Sequence, residues 1–186
     1  MKYAKYTLSS LLLLVLIAAL YRVIPDRPWG FAPQFAMTLF CGSVIKDRRI
    51  ALFLPVVSMF ISDILYQLLY IQGLTSIQGF YEGMIWNYII FGSLTVIGFF
   101  INSNSVKSIF KGAVLSPTVY FLVSNFVTWI SGGGLQRSKT MTGLMQAYVD
   151  GIPFYGNSLV ATLVFGLILF GTNHLVIKKV LPQQAS

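Results

Sequence analysis

Charge is scarce in this chain of 186 residues, and the scarcity decides its solvent. Charged residues make up 10% of the sequence and hydrophobic residues 56%, with a mean hydropathy of +0.76. Soluble domains carry roughly a quarter charged residues, so a chain this apolar cannot cover its surface with polar groups in water. A lipid bilayer is the solvent it requires. Cysteine is nearly missing as well. Cys41 stands alone, which excludes an intrachain disulfide and a multi-thiolate metal site; in "LFCGSV" it reads as a small core residue. Histidine occurs once, as His174, far along the chain from any carboxylate, and reads as an interfacial side chain. Neither HExxH nor GxSxG is present, so zinc proteolysis and elbow-type serine hydrolysis lack their parts. The glycine-rich stretch 131–134 has no lysine in P-loop register and reads as a flexible turn. The chain is therefore not expected to be an enzyme, to hydrolyse ATP by itself, or to hold a metal or other cofactor. Its five acidic residues form no chain suited to a proton relay, and no filter motif repeats, so neither pump nor channel is indicated.

What the sequence has in abundance is apolar runs. A helix crosses the hydrocarbon core with roughly 20 apolar residues, or about 17 when short. Six segments read as spans, the second of them short: 7–24, 33–45, 50–71, 85–101, 112–130 and 155–177. The expected fold is an all-α membrane protein, one integral membrane domain over residues 1–186, a bundle of six transmembrane helices. Lys2 and Lys5 precede the first run, as in a signal peptide, but no small-residue cleavage site follows it, so it reads as a retained helix. Three prolines in "PDRPWGFAP" bar regular helix before the second span, and Pro117 is expected to kink the fifth.

An even number of spans leaves both termini on one side. Nine of the thirteen basic residues (Lys2, Lys5, Lys46, Arg48, Arg49, Lys107, Lys111, Lys178 and Lys179) fall in segments on the same side as the termini. Arg22, Arg27, Arg137 and Lys139 fall opposite. Positive charge stays in the cytoplasm, so the expected topology is N-in, C-in. Basic clusters set between apolar runs orient helices; they make no phosphate-binding face, and no nucleic-acid partner is expected.

The loops differ between the two sides. Inner turns such as "KDRR" are short and polar. Outer connections are longer and carry aromatic residues, among them Trp29, Phe31, Phe80, Tyr81 and Tyr148. These segments either fold back over the helix ends as a lid or lie in the membrane interface.

Polar side chains within spans face the protein interior or a cavity. Asp63, in "VVSMFISDILYQLLY", sits eight residues from the outer end of its helix, roughly 12 Å deep. Gln67 shares its face one turn on. Trp86 and Asn87 open the fourth span, Asn125 and Trp129 lie in the outer half of the fifth, and Asn157 opens the sixth. The inner halves of these helices are nearly bare of polar groups. Interhelical hydrogen bonding accounts for any one such residue. It gives no reason for all to favour one leaflet, whereas a pocket open to the outside does. Asp63, Gln67, Trp86, Asn87, Asn125, Trp129 and Asn157 are the candidate substrate-binding residues. For Asp63 a second account competes: Arg22 lies at similar depth, and an Arg22–Asp63 ion pair explains both charges without a ligand.

Several stretches carry a resemblance: "FAPQFAMTLFCGSV" (31–44), "PVVSMFISDILYQ" (55–67), "IWNYIIFGSL" (85–94), "VSNFVTW" (123–129) and "TGLMQAYVDGIPFYGNSL" (142–159). In order and spacing they resemble an uncharacterised bacterial six-helix membrane family that is itself similar to the substrate-binding S components of energy-coupling factor transporters. The resemblance implies a bacterial inner-membrane protein with cytoplasmic termini. It implies capture of a vitamin-like compound outside and docking on a transmembrane coupling subunit driven by two ATPases. S components commonly present small residues at four-residue spacing on the first helix for that docking; "LSSLLLLVLIAAL" offers no clear pair of this kind. The rival expectation is a non-transport membrane scaffold or assembly subunit whose outer polar residues serve helix packing or a protein partner.

Overall fold

The computed structural model describes the backbone of residues 2–180 and the side chains of residues 10–175. Regular structure among these residues is helical throughout: α1 (Lys2–Arg22), α2 (Gln34–Val44), α3 (Arg48–Ile71), α4 (Met84–Gly98), α5 (Val106–Ser131) and α6 (Met141–Val180). The side chains of Lys2, Lys5, Lys178 and Lys179, which contribute to the charge asymmetry, lie outside the described residues.

Local chemistry explains the boundaries. Asp47 ends the turn after α2 and caps α3, its carboxylate accepting from Arg49 N at 2.9 Å and Ile50 N at 3.2 Å. Ser105 caps α5 in the same way, accepting from Ser108 N. This start lies six residues before the expected one, so much of the polar stretch between the fourth and fifth spans is helix. Gly132, with φ of 80°, closes α5.

The largest departure is α6. It begins at Met141, not near residue 155, so 141–154 is helix where a loop was expected. Glycine and proline ordinarily interrupt helices. In the fold, Thr140 Oγ1 caps the helix by accepting from Gly143 N, and Pro153 is accommodated inside it. Gly143 and Gly151 are buried, and at Gly151 even one added carbon would stand 2.6 Å from Asn125 Oδ1. Small residues here let α6 lie close against α5. Pro55 and Pro117 likewise sit inside α3 and α5 without ending them.

The short helix α2 is the axis. Eight of its eleven residues are buried, and it packs on α3, α4, α5 and α6. Its side chains join all three apolar clusters: Met37 and Cys41 with Val15, Ala18 and Ala51; Phe35 with Met59, Phe91 and Leu94; Leu39 with Ala113 and Phe170. Gly42 and Gly98 bring α2 and α4 to backbone contact. A side-chain carbon on Gly98 would lie 2.7 Å from the Leu39 carbonyl oxygen and 2.9 Å from the Gly42 Cα, so only glycine fits.

Among the described residues three helices are long and apolar enough to cross a membrane: α3, α5 and the stretch Met141–Leu175 of α6. The outward faces of the bundle are apolar, with Phe53 66% and Leu167 74% exposed and a row of Leu12, Leu13, Leu16, Ile17 and Leu20 along α1. Such surfaces are costly in water and ordinary in lipid. The chain is accordingly an all-helical protein of six helices whose long apolar members suggest a multi-pass membrane location. The expectation of six full spans is met only in part: α2, at eleven residues, rises about 16 Å, half the thickness of the hydrocarbon core.

Candidate functional site

The bundle is hollow at one end. A cavity of about 500 Å³ lies beneath the loops 23–33 and 72–83, within the range that small-molecule sites occupy. Every helix contributes to its wall, α1 through Arg22, α2 through Gln34, α3 through Asp63, α4 through Asn87, α5 through Tyr120 and α6 through Tyr155.

Asp63 is held by protein groups alone. It is 1% exposed. Arg22 Nη1 donates to one carboxylate oxygen, and the Tyr88 hydroxyl donates to the other at 2.6 Å. Arg22 Nη1 also donates to Ser62 Oγ at 2.6 Å, and Tyr66 OH donates to the Arg22 carbonyl at 2.5 Å. Charge and hydrogen-bonding capacity are both met without a ligand, which is the condition under which a buried ion pair is tolerated. A second network crosses from α5 to α4 and the loop: Tyr120 OH donates to Asn87 Oδ1 at 2.6 Å, and Asn87 Nδ2 donates to Tyr81 OH at 2.7 Å.

Aromatic rings form much of the remaining wall. Phe35, Phe91 and Tyr120 pack as a triangle with centroids 4.8–5.0 Å apart. Phe121 stacks on Tyr155 at 4.9 Å. Rigid rings beside a few fixed polar groups suit a flat ligand.

Of the seven candidate residues, the cavity brings together three, Asp63, Asn87 and Asn125. Asn125 Nδ2 donates to the Phe121 carbonyl within its own helix at 2.8 Å. The other four are not among the lining residues, and their contacts say why. Gln67 Oε1 accepts from the backbone of Gly79 and Phe80, holding the loop 72–83 down on α3. That loop lies so close that a side chain at Gly79 would overlap the Asp63 carbonyl. Asn157 Nδ2 donates to the Trp29 carbonyl at 2.8 Å and tethers the loop 23–33 to α6. Trp129 Nε1 donates to the Ser138 carbonyl, and the Lys139 ammonium donates to the Trp129 carbonyl. Trp86 is 58% exposed on the outward face of α4. Two amides and one indole thus fasten the connections, and the remaining indole faces away.

Sequence reasoning passed over Gln34, Arg27, Tyr120 and Tyr155, all in the wall. Gln34 carried a usable signal: an amide directly after Pro33 inside an otherwise apolar run. Arg27 reads from the sequence only as a loop charge.

A family model described as a family of unknown function, DUF6580, matches residues 2–184, and the chain belongs to that family. No curated protein and no solved structure matches it.

Proposed function

We infer that this member of the family is a membrane substrate-binding subunit. It captures a small vitamin-like or micronutrient compound in the cavity and relies on a separate ATP-driven coupling module for uptake. The observation that carries the reading is the cavity itself, drawn from all six helices at one end of the bundle and roofed by connections that side-chain amides fasten in place. Helix packing for stability alone gives no reason for such a hollow, because protein interiors close to crystalline density. In this reading the helices sit N-in, C-in in a bacterial inner membrane, the cavity opens outward, and the partner is a transmembrane coupling subunit with two ATPases. Ala18 and Ala19 of α1 are buried within the bundle and its outward face is bulky, so the coupling subunit would meet a different face.

Native mass spectrometry of the protein purified in mild detergent tests the proposal. The expected result is one small molecule per chain, lost when the cavity is filled by Ser124→Trp. A chain that carries nothing, with the same mass profile in the filled variant, would return the protein to the scaffold reading.

A further inference from the structure

The cavity's own polar groups specify the ligand's polarity, on the premise that it binds a small molecule. Gln34 is 2% exposed. Its Nε2 donates to the Ala18 carbonyl at 3.1 Å, which fixes the amide orientation because a carbonyl accepts only from the nitrogen. Its Oε1 is then a buried acceptor with no partner. Buried polar atoms are nearly always satisfied, and leaving one bare is destabilising. A bound molecule offering an N–H or O–H group would meet that need.

Charge points the same way. Three charged side chains line the cavity, Arg22, Arg27 and Asp63, and the first and last neutralise each other. Arg27 uses Nε on the Arg22 carbonyl and Nη1 on the Pro28 and Phe31 carbonyls. Among the described residues its Nη2 has no partner and no carboxylate pairs with it. Asp150 pairs with Arg137, and Asp26 and Glu82, the other carboxylates at this end, make no ion pair among the described residues. The cavity therefore holds one cation in excess.

We propose that the ligand is a small anion, a carboxylate or a phosphate, that sets its negative group against Arg27 and donates a hydrogen bond to Gln34 Oε1, with its flat body along the aromatic wall. Two sources share that chemistry: a soluble metabolite-sized anion and the headgroup of an anionic lipid.

The test is native mass spectrometry of the full chain in mild detergent, with the released species identified in negative-ion mode and melting temperature measured in parallel. Arg27→Met and Arg27→Lys both lose the planar fork that holds the loop, but only lysine keeps the charge. The expected result is an anionic species whose occupancy falls about tenfold or more in Arg27→Met and in Gln34→Met, the effect of losing one hydrogen bond to a charged or buried group. Arg27→Lys should retain most of it. A soluble anion assigns the first source, and a two-chain phospholipid assigns the second and defeats the uptake reading while leaving the polarity intact. A neutral or cationic species, or equal occupancy in the methionine and lysine variants, overturns the assignment alone. A chain that releases nothing overturns both.

Discussion

The two ends of the bundle solve opposite problems with the same helices. At the end where α1 begins and α6 finishes, connections are short and capped by Asp47 and Ser105, and α2 meets α4 glycine to glycine. At the other end the helices splay around a cavity of about 500 Å³, polar groups line the gap, and loops bend back over it. The closed end gains stability from apolar contact and backbone proximity. The hollow end gives up such contact and replaces it with hydrogen-bond networks centred on Asp63 and Asn87. Packing can be abandoned on one side of a core only if directional bonds hold that side open.

That contrast can be broken from either end. Asp63→Asn should have the largest effect, because it leaves Arg22 half-buried without a counter-charge; losing one partner of a buried pair typically costs about 3–5 kcal/mol. Thermal unfolding in detergent would show it, and adding Arg22→Gln should cost less than the sum of the two single losses. Strict additivity would mean that the pair is not coupled. At the closed end, Gly98→Ala forces a methyl group against the Leu39 carbonyl and should cost about 1–3 kcal/mol, with ligand retention per folded molecule unchanged. A melting temperature equal to that of the parent would mean that the two helices are not in backbone contact.

Asn125→Ala sharpens the comparison further. Among the described residues the side chain's amide is bonded only within its own helix, so melting temperature should move little while ligand binding weakens by roughly 1–3 kcal/mol. Equal losses in both would make Asn125 part of the packing. The smallest perturbation is a label. Single cysteines at Ser76 and Asn104, both exposed, should differ in intact cells, Ser76 reacting with an impermeant reagent and Asn104 protected. Asn104 is preferable to Ser105, whose hydroxyl caps α5. Reaction at Asn104 alone would invert the proposed topology.

Much of the fold is legible in the sequence because lipid imposes a simple rule on helix length and polarity. Six apolar runs become six helices, and Arg22 and Asp63 lie near each other because linear counting gives depth. Counting does not give direction around the helix. Trp86 and Asn87 are adjacent and equally deep, yet one faces outward and the other lines the cavity. Gln67 and Asn157 sit at the right level, but their amides are occupied by loop backbone that no helical periodicity describes. The early start of α6 was hidden because glycine and proline usually mark turns, whereas here the small residues serve close packing. Gln34 stands out by composition but not by direction, because α2 is buried on nearly every side and periodicity assigns it no single cavity face.

The length of α2 has an electrical consequence. If the hollow end fills with water, the insulating layer below it thins from about 30 Å to about 16 Å, the rise of α2. The membrane potential then falls mainly across that short plug. A charge at the cavity floor sits near the edge of a steepened field, and moving one elementary charge through the whole of it is worth about 2.3 kcal/mol per 100 mV. Occupancy by an anion, which reaches the floor without crossing the plug, should accordingly change little with a potassium diffusion potential in proteoliposomes, whereas its passage onward through the plug should be strongly voltage-dependent.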